Sequence, residues 1–344
     1  MKNLFIILLL SFLIACSNEE KTINPIDTNQ KIIISTENPP NLKIISIPDN
    51  KIIDENILPV EVSSMLTSPI TFIKEFGDYL YCSAQKDYKL IILDKKTYQL
   101  HKIINFENEN AEVGMFAFPN STDCYLIHPN KNYVSVIDVT VFKVVKQVTV
   151  GNNPSSISIS GNQIYVTNLS DNTVSIIDSR TQREEFKLNT WQKPLLSIVI
   201  PGGKYVGVIS AGLGKIDNNP NKTEAKITII NIENRTEEKV LDIGEGLISP
   251  LDQLPIGVSY TINDWLYIAT NSTLFRIDGR SLNAVKFIFR KNLLFMINDD
   301  VSQKLILLND NSGKQEILLA NNRTGSITNV IKINYKIAYI YPWR

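Results

Sequence analysis

Few side chains in this sequence suit ordinary active-site chemistry. Among its 344 residues are two histidines, His101 and His128, and three cysteines, Cys16, Cys82 and Cys124. Two histidines without further partners do not make a zinc or haem site, and no Cys-x-x-Cys-His run occurs. His101 falls in a predicted outer strand and His128 at the end of a second strand, where both read as surface histidines, solvated or hydrogen-bonded. No Gly-x-Ser-x-Gly, His-Glu-x-x-His, P-loop or paired-carboxylate pattern is present. Asp217, Asn218, Asn219 and Asn221, with Glu224, offer oxygen ligands at a Ca²⁺-like spacing. They lack the central glycine and the correctly placed bidentate glutamate of a calcium loop, so a solvated polar loop fits them better. On these residues no catalytic group, metal site or cofactor is assigned.

Charge and cysteine usage narrow the classes further. Lys+Arg and Asp+Glu are 35 each, which removes any global attraction to nucleic acid or anionic membrane. Basic and aromatic residues are not clustered as a nucleic-acid platform requires. At 43% hydrophobic the chain can bury a sizeable core. Cys82 and Cys124 fall in the second strands of neighbouring repeats, two residues out of register. Packed sheets stand about 10 Å apart, whereas a disulfide needs Cα atoms within about 7 Å. Two buried thiols are therefore expected.

The N-terminus reads as an address. Met1-Lys2-Asn3 is a short basic start, and Leu4 to Ile14 is apolar apart from Ser11. That is too short for a stable transmembrane helix and has the layout of a secretory signal. The run ends in Leu13-Ile14-Ala15-Cys16, which resembles the lipobox of bacterial lipoproteins. The resemblance implies cleavage before Cys16, a signal over 1–15, and acyl chains on the Cys16 sulfur and new amino group. Several acyl chains hold a protein on a bilayer durably, where one does not. Ser17 after the cysteine favours the outer membrane by the same resemblance. Residues 16–30 are polar and without apolar period, a flexible tether.

Beyond the tether the sequence repeats. Ile164 to Ser179 is two apolar runs around the turn formers Leu169-Ser170-Asp171-Asn172, with Asp178 closing the second run. An aspartate there accepts backbone N–H bonds from the residues that follow and fixes a tight turn. The same strand ending in Asp or Asn recurs as Leu90–Asp94, Val134–Asp138, Val174–Asp178, Ile227–Asn231 and Leu274–Asp278, with weaker copies at Glu316–Asn321 and Ile44–Pro48. Seven copies at about one per 40–50 residues match the spacing of four-stranded propeller blades. Pro69, Pro154, Pro194 and Pro255, with Gly114 and Asn292 in the same slot, each precede a run that would be a blade's inner strand.

Ile164–Asp178, with its Tyr-Val-Thr-Asn and Val-Ser-Ile-Ile-Asp, resembles the YVTN-type β-propeller repeat, of the kind seen in quinoprotein amine dehydrogenase β-chain-like propellers. The likeness is strong over Gly114–Pro194 and diffuse elsewhere, and the glycine-rich turns of that family are sparse, with 15 Gly in all. The fold class predicted for 31–344 is all-β: a seven-bladed β-propeller of four-stranded antiparallel blades. Lys336–Ile340 supplies one strand and Lys31–Ser35, Leu42–Ile47 and Lys51–Ile57 three more, so pairing of the C-terminal strand with the N-terminal blade would close the ring and protect its edges.

Candidate binding residues collect in the loops of one face. In a propeller the loop between strands two and three emerges on the same side as the exit to the next blade. Two insertions, Ala211–Glu224 and Ile243–Leu254, therefore share a face, with Glu107, Glu109 and Glu112 in another exit loop and Trp191 in a third. Long loops on a rigid frame are where binding tends to sit, although loops also drift at small cost. The expected function is a lipid-anchored, non-catalytic binding or scaffold protein of the cell envelope, with a protein, peptide or glycan partner. The alternative is a propeller enzyme of lactonase, lyase or quinoprotein dehydrogenase-subunit type, which scarce histidine disfavours.

Overall fold

A computed structural model describes residues 31–46, 51–54, 56–213, 224–244, 258–260, 265–269, 273–288, 293–299, 304–321, 324–334 and 336–343. The signal, Cys16 and the tether, together with Asp217, Asn218, Asn219 and Asn221, lie outside them. The described strands form seven four-stranded sheets, antiparallel throughout and arranged as a propeller. Blades are numbered here in chain order, and their strands from innermost to outermost.

Blade 1 is built from both ends of the chain. Ile337–Trp343 is its innermost strand, followed by Lys31–Thr36, Asn41–Ser46 and Lys51–Asp54. Ile340 stands opposite Ile34, and Tyr341 opposite Ile33. A clamp beside this pairing joins the two termini: Glu37 N–H donates to the Lys336 carbonyl at 3.0 Å, and the Lys336 ammonium meets Glu37 at 2.7 Å. The expected closure is the one observed.

Blades 2 to 7 each run straight through four consecutive strands. The sequence anchors are the third strands, among them Lys89–Asp94, Tyr133–Asp138, Thr173–Asp178 and Thr273–Asp278. Pro154 and Pro194 open the inner strands of blades 4 and 5, with a register shift immediately after each. A missing N–H costs least there, because the ladder is already interrupted.

The third strands of blades 2, 4, 5, 6 and 7 end in closely related turns. Asp178 Oδ1 accepts from the N–H of Arg180 at 2.7 Å, and the Gln182 N–H returns to the Asp178 carbonyl at 2.8 Å. Asp94, Asn231 and Asp278 repeat both bonds, the returning N–H coming from Tyr98, Arg235 and Leu282; at Asn321 the N–H of Gly325 returns likewise, and Oδ1 accepts from the N–H of Thr324 at 3.0 Å. The returning residue is left-handed every time, with φ 58° at Tyr98, 50° at Gln182, 58° at Arg235 and 55° at Leu282. Among these turns glycine holds the slot only at Gly325, and larger residues occupy the αL position in the others.

The core consists of seams between blades. The third residue of every second strand points at the next blade: Tyr81, Tyr125, Tyr165 and Tyr267 are each buried in such a seam. Ile33 and Ile306 fill the same place in blades 1 and 7, and Gly207 in blade 5. A lone four-stranded sheet leaves both faces wet; stacking seven round an axis buries them. Cys82 and Cys124 are free, buried thiols in different seams, as expected. Burial pushes both thiols well above the ordinary range.

Candidate binding face

The candidate residues on the loop face that can be described form two groups. The first lies on the exit from blade 2 to blade 3. Phe106 packs into the seam and a single 3₁₀ turn, Glu107–Glu109, follows it. Glu107 and Glu109 are exposed, and Glu109 accepts a hydrogen bond from Tyr133 Oη at 3.2 Å. Burial, then the neighbouring Glu109 carboxylate, pushes the Tyr133 phenol up to about 12.

Glu112 is more enclosed. Its carboxylate takes the Lys86 ammonium at 2.7 Å and the Gln85 amide at 2.8 Å, both from the second-to-third-strand loop of blade 2. Its own N–H donates to Asn130 Oδ1 at 2.9 Å. Glu112 thus ties the exit loop to the loops of both blades it joins.

His128 lies beneath this loop and is fully buried, which corrects the surface reading. Its Nδ1 is 2.8 Å from the Glu112 carbonyl, and its Nε2 2.8 Å from Ser135 Oγ. A carbonyl only accepts, so Nδ1 carries the proton and Nε2 accepts from the serine hydroxyl. Phe106 and Tyr133 flank the ring at centroid distances of 4.8 and 4.9 Å. Burial outweighs the hydrogen bond to the backbone and lowers the imidazole to about 4, so it is neutral near pH 7. Comparing the repeats gives the missed signal. His128 occupies the slot of Asn168 in blade 4, whose amide donates to Ser175 Oγ at 2.9 Å as His128 meets Ser135.

The second group lies at the exit from blade 4 to blade 5. Trp191 is half-buried, and its Nε1–H donates to the carbonyl of Glu224 at 2.8 Å. The Lys226 ammonium stands 4.3 Å from the indole centroid and pairs with Asp242 at 3.2 Å. Two candidate residues 33 positions apart in sequence are therefore in direct contact, with a cation over the ring. Lys226 and Asp242 were not singled out in the sequence, because only the pairing of the third and fourth strands sets them side by side.

Asp87 is a further polar anchor on this face without a local sequence signal. Its carboxylate accepts from the N–H and hydroxyl of Thr67 at 3.0 and 2.6 Å and of Ser68 at 3.1 and 2.7 Å. Burial alone would raise its pKa, but these four bonds together outweigh it and hold the carboxyl below the usual range. They pin the connection from blade 1 to the second-to-third-strand loop of blade 2.

Among the described residues, no group of three or more His, Cys, Asp or Glu side chains is placed to hold a metal ion. No described helix is long and apolar enough to cross a membrane.

Fold and loop geometry define the class, a seven-bladed β-propeller with a polar loop face. Solved structures support that class. A chain of Kuenenia stuttgartiensis hydrazine synthase matches at 18% identity and a TM-score of 0.59, over 73% of this chain and 76% of its own. A protein of unknown function from Desulfotomaculum acetoxidans matches at 13% identity and a TM-score of 0.62, over 88% of this chain and 95% of its own. At these identities the likeness is one of fold. No family profile matches the sequence, and no curated protein matches it.

Proposed function

We propose that this chain is a lipid-anchored propeller of the bacterial cell envelope, a lipoprotein of YVTN-repeat type, that binds a protein, peptide or glycan partner on its loop face. The observation that carries the reading is the Trp191 arrangement. A half-buried indole is fixed by its bond to Glu224, with Lys226 over its ring and Asp242 paired to that lysine. A preordered aromatic loses little freedom when a partner lands on it, and charged neighbours set orientation. Glu107 and Glu109 provide a second exposed acidic patch on the same face.

The anchor rests on the lipobox around Cys16 and the polar tether behind it. Outer-membrane placement follows from Ser17. Likeness of fold to a chain of an enzyme transfers no activity, since one fold hosts many functions.

Two experiments test the reading. A photocrosslinking residue at position 191 in living cells is expected to trap one dominant envelope component; a diffuse background no stronger than from a turn-face position such as Thr181 would refute the binding face. Cys16→Ser is expected to abolish labelling by a palmitate analogue and release the protein from membranes. Unchanged labelling would remove the anchor.

A further inference from the structure

Every blade ends in an outermost strand that pairs on one side only among the described residues. Such an edge is a template for another strand unless something blunts it. In six blades a β-bulge interrupts the pairing of the third and fourth strands. Each bulge leaves one residue of the outer strand over, as at Val145 in blade 3 and Glu185 in blade 4. A bulge bends the strand, sharpens its twist and spoils the edge for further pairing.

Blade 6 is the exception. Its outer strand, Ala284–Ile288, pairs with Thr273–Asp278 in unbroken register, from Ala284 opposite Ile277 to Ile288 opposite Thr273. Alternate residues of a straight antiparallel edge turn their N–H and C=O groups outward. Ala284 and Val285 are exposed. The strand reads Ala-Val-Lys-Phe-Ile, whereas the outer strand of blade 4 opens with Arg183, Glu184 and Glu185. Charge selects the occupant. From Gly279 to Asn298 the sequence carries four basic residues and no Asp or Glu, in a chain that is balanced as a whole. Two copies joined antiparallel about the middle of this strand would set Lys286 opposite Lys286, and like charges so placed destabilise a sheet. An acidic residue at that register position is favoured instead.

We propose that the outer strand of blade 6 is a strand-addition site, which takes an extended acidic segment of a partner protein as a fifth strand of that sheet. Backbone ladder bonds supply the affinity. Apolar residues at alternate positions and a carboxylate opposite Lys286 fix the register. This inference stands apart from the loop-face reading, because it uses the rim of one blade only.

The test is hydrogen exchange read by mass spectrometry on the full chain, with and without about 1 mM of the end-blocked peptide Thr-Val-Glu-Val-Thr, a level that populates even weak complexes. Amide exchange across Ala284–Ile288 is expected to slow about threefold or more, while the bulged strands Lys143–Thr149 and Arg183–Asn189 keep their rates. Lys286→Glu should weaken the acidic peptide about fivefold and admit Thr-Val-Lys-Val-Thr in its place. A glycine inserted between Ala284 and Val285, which copies the bulge of the other blades, should abolish the protection and keep a native melting curve. If the inserted chain melts early, the charge swap decides by itself. Unchanged exchange at Ala284–Ile288 overturns the proposal, as does equal slowing in the bulged strands. Protection that needs no peptide and rises with protein concentration assigns the edge to a second copy and overturns it as well.

Discussion

The fold changes the charge state of His128 within the pH range where histidine ordinarily titrates. Its imidazole is lowered to about 4 in the fold, while an unfolded chain holds it near 6.5. As pH falls, the unfolded chain takes up the proton first. The stabilisation from neutral His128 is therefore whole above pH ~6.5 and lost progressively from there to about 4. The linkage amounts to ~3 kcal/mol at the most. His128→Asn, which copies the Asn168 solution of blade 4, is expected to cost about 1–2 kcal/mol at pH 7.5 through lost volume and to flatten the slope between pH 6.5 and 4. Urea denaturation across that range checks both; an unchanged slope would mean the ring titrates normally. Gly207 offers the opposite case. A Cβ added there meets Ile198 and Ile227 at 3.6 Å, ordinary contact, and the backbone needs no positive φ. Gly207→Ala is expected to stabilise the protein by about 0.5–1 kcal/mol in thermal or urea unfolding. Gly151→Ala should destabilise it, because the new carbon would stand 2.6 Å from the buried amide of Asn168.

At the scale of the element, the repeated five-residue turn sets where each third strand stops. It needs a carbonyl or carboxylate oxygen at the Asp or Asn and a left-handed residue four places on. Gln182 holds that conformation at φ 50°, where a non-glycine residue is strained by about 1–2 kcal/mol. Gln182→Gly is expected to raise the melting temperature, offset in part by the greater freedom glycine has in the unfolded chain. Gln182→Val should lower it, since a β-branched residue tolerates the region worst. If both variants melt alike, the turn does not impose the left-handed backbone in solution.

For the whole molecule the decisive contact is the pairing of Ile337–Trp343 with Lys31–Thr36. Tyr341 Oη also accepts the Glu75 N–H at 3.1 Å, so the closing strand is bonded to blade 2 as well. Without it, Ile33 and Ile34 lose their cover and the strand Lys31–Thr36 becomes an open edge. Deletion of residues 337–344 is expected to abolish the single cooperative thermal transition and give aggregates in size-exclusion chromatography. A monomeric variant with an unaltered transition would show that closure is dispensable.

Much of this architecture follows from local sequence. Alternation of β-branched residues marks strands, Asp or Asn after each third strand marks the turn, and seven copies at blade spacing specify seven sheets, because a single such sheet cannot bury both faces. Even ring closure is legible, since one strand is left over at the C-terminus and three at the N-terminus. Other features depend on residues distant in the chain. His128 has an ordinary loop-edge sequence around it and is buried only because the exit loop folds over it. Trp191 meets Glu224, Asp87 binds Thr67 and Ser68, and Phe72 and Phe76 meet Phe116 and Phe118 through pairings that join different strands and blades. Backbone periodicity is a property of neighbours, so sequence determined the blades. Burial and electrostatic environment are sums over everything packed around a group, so the tertiary structure alone decided which side chains are anchors and which are neutral.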